Sequence, residues 1–425
     1  MFRSLSGFNY RQWFAGALVS NVGTWMQRTS QDWVVLTELT KHDAAAVGIT
    51  SALQLGPILL LAPWSGLIAD RFDKRKLLIA TQLAMAALGL GLGLIVLIGV
   101  AQLWHVYAFA LALGIVAAVD APARQSFVSE LVDEKDLSNA VALNSASFNI
   151  ARLLGPATAG MLTVAVGAGW VFVINGASYA ATLFALARLR TTELHRSTRA
   201  ARTRGQLLEG FRYVYRRPNI LVVMAVVFIL GTFGLNFAIF LSTMASVVFH
   251  HSAAEYGLLS SIFAVGSVLG ALLSARRERP RIGLVFVGAG AFGLTCAVAA
   301  IMPTFWAFAA VLVLVGFSSL TTLTTANGVV QTSVEPHMRG RVMALYMAIF
   351  AGGTPLGAPL VGWVANTFGP RWAMGVGALA GIAGAIIGVV WLLASKRVAL
   401  RGPRRRTRAE VAEEFVAEET MLKRT

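Results

Sequence analysis

The sequence predicts an all-α membrane protein in which twelve transmembrane helices form two pseudo-symmetric six-helix bundles. Three observations indicate this fold: an apolar composition, twelve segments long enough to cross a bilayer, and an internal repeat. Hydrophobic residues make up 56% of the 425 residues, and the mean hydropathy is +0.68. This composition is too apolar for an ordinary soluble domain, and continuous apolar runs favour helices over the alternating pattern of a membrane β-barrel.

The twelve segments follow one another at short intervals. A spanning helix needs roughly 20 mainly apolar residues, and segments 77–101, 282–302 and 372–395 contain no charged residue. The first six helices are predicted at 12–37, 47–69, 77–101, 104–128, 139–166 and 171–188. The second six are predicted at 219–246, 257–275, 282–302, 305–332, 341–367 and 372–394. The 41 glycines suit helices that pack closely in lipid.

Lysines and arginines fall in alternate connections between these segments. They cluster at 71–76, at 276–281, between the two sets of helices and after Arg401, whereas the opposite connections hold little beyond Lys41 and Arg371. Because basic loops stay on the cytoplasmic side, both termini are predicted to be cytoplasmic, in the inner membrane of a bacterium. This topology accounts for the net charge of +16. Without a basic soluble domain, nucleic-acid binding is excluded.

The two sets of six helices are related by an internal repeat. Residues 136–170 align with residues 337–372, so that Gly155 matches Gly357 and Gly160 matches Gly362 at one offset of 202. The chain is therefore predicted to divide into four parts: a first bundle at 1–188, a cytoplasmic connector at 189–218, a second bundle at 219–395 and a cytoplasmic tail at 396–425. Two parallel halves of this kind suit a transporter in which rigid bundles rock about a central site.

A charged motif, GLIADRFDKRK, lies between the second and third helices. It is similar to the signature G-x-x-x-D-[RK]-x-G-[RK]-[RK], with Asp73 in place of the second glycine. The matching residues are Gly66, Asp70, Arg71, Lys74 and Arg75. Together with the twelve spans and the repeat, the motif makes the chain resemble the major facilitator superfamily over nearly its full length. The resemblance implies a transporter, not an enzyme, that works by alternating access.

The same resemblance implies that the charged turn is a latch between the halves on the cytoplasmic side. Asp70 would face the start of helix 11, where exposed amides and the positive end of the helix dipole attract a carboxylate. Lys74 would pair with an acid at the cytoplasmic end of helix 4, for which Asp120, next to Arg124, is the candidate. The alternative is that these bases only determine topology, but Asp70 would add nothing to that role.

A second motif, GPATAG in helix 5, resembles the G-P-x-x-G-G signature of the superfamily's antiporters. Gly155, Pro156 and Gly160 match it, while Ala159 stands in place of one glycine. The resemblance favours export. The alternative is a packing kink unrelated to the direction of transport, since small residues permit close packing and proline removes a backbone donor.

Helix 1 carries a polar stripe inside the membrane. Asn21, Trp25, Arg28 and Asp32 share one helical face, and an ionisable residue at mid-span costs at least about 2.5–3.5 kcal/mol. By resemblance this helix lines the central cavity. Arg28 and Asp32 are four residues apart and can neutralise each other, which is the structural interpretation. In the functional interpretation, Asp32 loses this partner during the cycle and accepts a proton, and so couples a proton gradient to export.

Further candidate cavity residues lie on helices 5, 7 and 10. They are Asn149, Arg152, Asn236, Asn327 and Gln331. Arg152 could attract an anionic substrate, or it could neutralise Asp32 or Asp120. The neutral residues could contact substrate or form hydrogen bonds between helices.

No cofactor or metal site is expected. The single cysteine, Cys296, has no partner, and the chain lacks a phosphate-binding G-x-x-x-x-G-K-[ST] motif, so that an ion gradient must supply the energy.

The predicted function is secondary export of small amphipathic molecules by proton antiport. The segments NYRQWFAGALVSNVGTWMQ and LVDEKDLSNAVALNSASFNIARLLGPATAG resemble the branch of the superfamily that contains the enterobactin exporter and the macrolide efflux pumps. Siderophores and macrolide-like drugs are therefore the expected substrates, and the lipid bilayer, protons and a small molecule are the expected partners of a monomeric transport unit. An importer or lysophospholipid flippase of the same fold is the alternative, followed by a receptor or scaffold that transports nothing.

Overall fold

The computed structural model describes residues 2–195, 206–275 and 280–400, and this part of the chain is helical. The helices are α1 Phe8–Trp33, α2 Ala44–Arg71, α3 Lys74–Leu97, α4 Leu103–Val128, α5 Leu137–Val166, α6 Ala168–Arg188, α7 Gln206–Tyr215, α8 Pro218–Ile229, α9 Phe237–Thr243, α10 Ala253–Ala275, α11 Ile282–Ile301, α12 Phe305–Ser333, α13 Pro336–Phe368 and α14 Pro370–Leu400. The tail from residue 401 and residues 196–205 of the predicted connector lie outside the described residues.

Eleven of the twelve predicted spans are present as helical stretches long and apolar enough to cross a membrane. The remaining one is α1, whose polar stripe lowers its hydropathy. It nevertheless packs inside the bundle against α5 and α6. The predicted connector contains the short helix α7.

The seventh predicted span is not one continuous helix. The stretch Pro218–Val248 is built from α8, a π-helical turn Leu230–Gly234, a break at residues 235–236, then α9 and a second π-helical turn Met244–Val248. An unbroken helix over 219–246 was therefore wrong. Irregular backbone at this depth requires partners other than lipid, which is why such breaks occur next to cavities or packed protein.

Side-chain caps and glycines define where the helices begin. The Asp43 carboxylate accepts hydrogen bonds from the Ala45 and Ala46 amides at 2.9 and 3.2 Å and starts α2. The Asp73 carboxylate accepts from the Lys76 amide at 3.0 Å and starts α3. Gly167 (φ 88°) and Gly369 (φ 97°) form the one-residue turns before α6 and α14. These two glycines lie 202 residues apart, the offset of the sequence repeat.

Two seams join the halves, with α5 against α10 and α2 against α13. A Cβ added at Gly160 would lie 2.4 Å from the Ala253 carbonyl oxygen, and one added at the matching Gly362 would lie 2.4 Å from the Ala44 carbonyl oxygen. Contacts this short leave no room for a side chain, so glycine is required at both positions. The repeat seen in the sequence thus recurs as matched contacts.

One end of the bundle is closed by hydrogen bonds between the halves. We call the end at which α1 begins the near end and the end at which α1 finishes the far end. At the far end, the Asn366 side chain accepts from the Ala44 amide at 2.8 Å and donates to the Asp43 carboxylate at 2.6 Å. Because Asp43 also caps α2, these bonds tie the start of α2 to the end of α13.

Candidate substrate cavity

A cavity of about 250 Å³ lies between the two halves. Its first-half wall comes from α1, α2 and α5, and its second-half wall comes from the break before α9, from α9 itself, and from α10 and α13. The polar lining residues are Trp25, Arg28, Thr29, Asp32, Ser51, Gln54, Arg152, Asn236, Tyr256, Ser260 and Thr354. The wall combines apolar side chains with a few convergent polar groups, which is typical of small-molecule sites.

Asp32 lines the cavity at the junction of the halves. The Tyr256 hydroxyl of α10 donates a hydrogen bond to Oδ2 of Asp32 at 3.1 Å. The Tyr256 ring stacks on Trp33, with ring centroids 6.1 Å apart and planes 20° apart. The carboxylate of α1 is therefore bonded to the opposite half rather than to its own helix.

The structural interpretation of Arg28 and Asp32, an ion pair within α1, does not hold in this conformation. The ion pairs of the described residues do not include these two side chains, although their spacing of four would permit it. The Arg28 guanidinium lies over the Trp25 ring, 5.4 Å from its centroid, and its Nε is buried without a hydrogen-bond partner. The hydroxyl of Tyr256 takes the place that the sequence assigned to Arg28.

Arg152 reaches across to the second half. Its Nη2 donates to the Ser267 hydroxyl at 3.4 Å, and its guanidinium lies 5.6 Å from the centroid of the Phe263 ring. Of the two acids proposed as its partners, Asp32 is bonded to Tyr256 and Asp120 is paired with Arg124. Neutralisation of either acid by Arg152 is therefore wrong, and substrate attraction stays open.

The remaining predicted cavity residues divide into two groups. Trp25 and Asn236 line this cavity, and their contact with substrate stays a prediction. The other four lie outside its lining: Asn21 donates to Ser147 of α5, Asn149 donates to the carbonyl of Ser145 in its own helix, and Asn327 pairs with Gln331 at 2.7 Å. Each of these amides has a partner on its own or a neighbouring helix, and a role for them in substrate binding stays a prediction.

Sequence reasoning predicted Asn236 but missed the break in which it lies and its cavity-lining neighbours Leu235 and Phe237. Leu235, Asn236 and Phe237 all line the cavity, and the Asn236 Nδ2 donates to the Thr232 carbonyl at 2.8 Å. The Asn236 Oδ1 is buried without a partner. The signal available in the sequence was the run LGTFGLN, in which two glycines and an asparagine interrupt an otherwise apolar helix. Tyr256 was also missed, since a lone tyrosine near a helix start gives no such signal.

Lys74 of the charged turn pairs with an acid other than the one predicted. Its Nζ lies 2.6 Å from Oε1 of Glu130, just beyond the end of α4. Asp120 lies deeper and is buried, where it accepts from Thr81 and Gln82 of α3 at 2.7 and 2.9 Å. Pairing of Lys74 with Asp120 was therefore wrong, although an acid at the end of helix 4 was right.

Asp120 belongs to a network within the first half. The Arg124 Nε lies 3.0 Å from its Oδ2, one helical turn away on α4. The Arg124 guanidinium in turn lies over the Trp13 ring of α1, 5.4 Å from the ring centroid. These contacts join α1, α3 and α4, so the pair stabilises the first bundle and does not connect the two halves.

The other residues of the charged turn have identifiable positions. Arg75 Nε donates to the Leu186 carbonyl at 2.8 Å and so satisfies an orphan carbonyl at the end of α6. Gly66 lies within α2, and Arg71 is exposed at its end. The side chain of Asp70 lies outside the described part of the chain. Its contact with the start of α13, which is the predicted helix 11, therefore stays a prediction.

The GPATAG motif of α5 lies against both neighbours of that helix. A Cβ at Gly155 would lie 2.5 Å from the Trp25 Cβ of α1, while the Pro156 carbonyl would lie 2.2 Å from a Cβ at Gly257 of α10. The helix is continuous from Leu137 to Val166, through the proline. The motif therefore brings α5 close to α1 and to the opposite half, next to the cavity that Pro156 itself lines.

The fold is shared with solved transporters of the major facilitator type. A bacterial homologue of the human lysosomal transporter Spinster, in an inward-facing conformation, superposes with a TM-score of 0.68 at 16% identity and covers 94% of this chain and 99% of its own. A POT peptide transporter superposes with a TM-score of 0.72 at 12% identity, covering 92% and 95%. At these identities the similarity concerns the fold alone.

The chain belongs to the transmembrane secretion effector family of that superfamily, whose model matches residues 2–422. Its curated relatives include the staphyloferrin A transporter of Staphylococcus aureus, 25% identical over 367 residues that cover 84% of this chain and 90% of the relative. The enterobactin exporter EntS of Salmonella typhimurium is 26% identical over 372 residues, covering 84% and 86%. The resemblance predicted from the sequence is confirmed.

Proposed function

We propose that this transporter exports a small amphipathic molecule, of the siderophore or macrolide type, through the cavity between its halves and against the entry of protons. The observation that carries the proposal is Asp32, the one carboxylate that lines the cavity in the described part of the chain, hydrogen-bonded across the junction of the halves. The names of the relatives support a siderophore, since one transports staphyloferrin A and another exports enterobactin.

Asp32 lies where a proton would change how the halves hold together. While it is ionised, its bond from the Tyr256 hydroxyl is charge-assisted and roughly twice as strong as a neutral one. Protonation removes that assistance and weakens the link between α1 and α10. Substrate release and proton binding at the far end would then be coupled to the separation of the seams there.

The distribution of basic residues supports a cytoplasmic near end, in the inner membrane of a bacterium. The near end holds the charged turn and its pair of Lys74 with Glu130. In this arrangement the closed far end faces outward, and a substrate reaches the cavity from the cytoplasmic side. Asp70 would hold the near end shut in the opposite conformation by facing the start of α13.

Transport by the full chain in proteoliposomes tests the proposal. We would impose a pH gradient and follow proton entry on addition of staphyloferrin A, enterobactin or erythromycin, with wild type, Asp32→Asn and Glu38→Gln. Glu38 is a matched control, because it is an exposed acid at the end of the same helix, outside the cavity lining. We expect at least one compound to move protons in wild type and Glu38→Gln, with about a tenfold loss in Asp32→Asn.

Three results would contradict parts of the proposal. Transport without proton movement in wild type removes the coupling role of Asp32 and points to another driving ion. Transport only in the inward direction, measured with sided labelling of the vesicles, would replace export by import or lipid flipping. No movement of any compound would favour a receptor or scaffold.

A further inference from the structure

The cavity carries more positive than negative charge. Its ionisable lining consists of two arginines, Arg28 and Arg152, and one acid, Asp32, apart from the phenol of Tyr256. Asp32 is engaged by Tyr256, and in the described part of the chain neither arginine has a carboxylate within ion-pair distance. With Asp32 ionised, the cavity therefore has one uncompensated positive charge, which one monovalent anion would neutralise.

Uncompensated arginines inside a membrane protein are costly and therefore have a function or a missing partner. Among the described residues, the buried Nε of Arg28 has no acceptor, and the single hydrogen bond of Arg152 is a long one to the Ser267 hydroxyl at 3.4 Å. A group that leaves a strong donor unsatisfied in a cavity of this size points to a ligand that supplies the acceptor.

We propose that Arg28 and Arg152 together form a subsite for a carboxylate, so that the substrate carries an anionic head on an aromatic or apolar body. This inference rests on the proposed function, in that it takes the cavity as the substrate site. A guanidinium presents several N–H donors in one plane, which suits the two oxygens of a carboxylate.

The aromatic side chains around the two arginines define the rest of the substrate. Trp25 covers the Arg28 guanidinium and Phe263 covers that of Arg152, which leaves the N–H edges as the donating surfaces. Phe237 lies against Phe263, with ring centroids 3.9 Å apart, and both rings line the cavity. The carboxylate thus has an aromatic wall beside it, where a ring or an alkyl chain would be desolvated.

The second half adds one directional contact. Asn236 lines the cavity, and its buried Oδ1 accepts no hydrogen bond from the described residues. It is an acceptor, whereas both arginines are donors. A substrate with a hydroxyl or amide N–H near its carboxylate would satisfy the two halves at once.

A pair of fluorescent probes that differ by one charge tests the inference. Dansylglycine carries a carboxylate next to an aromatic body, and dansylglycinamide is its neutral match. We would titrate both into the full chain in lipid nanodiscs and compare wild type with Arg28→Gln, Arg152→Gln and Arg188→Gln. Arg188 is the control, because it also stacks on an aromatic ring, that of Phe184, but is exposed and outside the cavity lining.

We expect the carboxylate probe to bind wild type and Arg188→Gln at least tenfold more tightly than the amide. Either cavity substitution should abolish this preference, and Arg28→Lys or Arg152→Lys should restore part of it, provided that each variant stays monodisperse. If the arginines had a merely structural role, their substitution would weaken the binding of both probes equally. Equal binding of the two probes, preference for the amide, or binding of neither would overturn the inference. Proton-coupled transport of a neutral compound alongside any of these results would leave the proposed function intact.

Discussion

The first helix of each half offers the clearest comparison in the molecule, because the two end in the same backbone turn but differ in chemistry along their length. α1 finishes in the π-helical turn Val34–Glu38 and the second half's counterpart finishes in the π-helical turn Met244–Val248. The following turns also match: the His42 amide donates to the Leu36 carbonyl at 2.9 Å, and the His251 amide donates to the Ala245 carbonyl at 2.8 Å.

The chemistry of the two helices differs. α1 is continuous and brings Arg28 and Asp32 to the cavity, whereas residues 218–248 contain no charged residue and break at Asn236. The repeated backbone therefore closes the far end, and the divergent side chains supply the charge on one side and the irregular backbone on the other. Substitutions at matched backbone positions should therefore have equal effects on the closure of the far end. Substitutions of cavity side chains should have effects that differ between the two halves.

The largest expected effect comes from the matched glycines of the two seams. A Cβ at Gly257 would lie 2.2 Å from the Pro156 carbonyl, and one at Gly48 would lie 2.3 Å from the Ala358 carbonyl. Valine at either position cannot fit without moving a helix backbone, so Gly257→Val and Gly48→Val should both hold the far end apart. We expect transport to fall more than tenfold in each.

Spin-label distances at the far end would measure this opening. Lys41→Cys and Pro303→Cys place labels on exposed far-end turns of the two halves, in a Cys296→Ala background that removes the native thiol. Both valine variants should lengthen the distance by similar amounts, and Gly56→Val, whose Cβ meets nothing within 4 Å, is the control. If only one seam responds, the closure is not shared between the two repeats.

The next effect distinguishes two carboxylates of the first half. Asp120 is buried against Arg124, so Asp120→Asn leaves that arginine unpaired and should cost about 3 kcal/mol of unfolding free energy. Asp32 has no such ion-pair partner in the described residues, so Asp32→Asn should leave stability nearly unchanged. Reaction of the buried Cys296 thiol with a maleimide dye on heating reports unfolding. A lower melting temperature for Asp32→Asn than for Asp120→Asn would reverse the roles assigned here.

The sequence was sufficient to predict the features that depend on the internal repeat and on apolar composition. Eleven spans, the family and the 202-residue offset of Gly160 and Gly362 all follow from local pattern. It was insufficient for pairing, because a spacing of four permits a bond between Arg28 and Asp32 without showing that Tyr256, 224 residues from Asp32, competes for the carboxylate. Lys74 was likewise assigned to the wrong acid. Only tertiary packing shows that the Asp120 carboxylate is already bonded to Thr81, Gln82 and Arg124.

A smaller effect should follow at Asn236 in the second half. Asn236→Leu removes a buried acceptor that has no partner but also the bond to the Thr232 carbonyl, so the two effects offset and stability should change by less than about 1 kcal/mol. Substrate should bind less well if that acceptor contacts it, which raises KM while kcat changes little. Asn327→Leu is the control on the same half, outside the cavity lining. An unchanged KM, measured by transport in proteoliposomes, would remove Asn236 from the substrate contacts.

The smallest effect returns to the matched turns after the first helix of each half. His42 (φ 61°) and His250 (φ 55°) are the two residues other than glycine with positive φ in the described chain, and both are exposed. Left-handed backbone costs an L-residue about 1–2 kcal/mol, whereas glycine adopts it freely but loses more entropy on folding. His42→Gly and His250→Gly should therefore each raise stability by roughly 0.5 kcal/mol, measured by the same thiol-reaction assay. Equal gains would mean that both turns carry similar backbone strain, while a gain at His250 alone would mean that strain at His42 is offset by the contacts of α1.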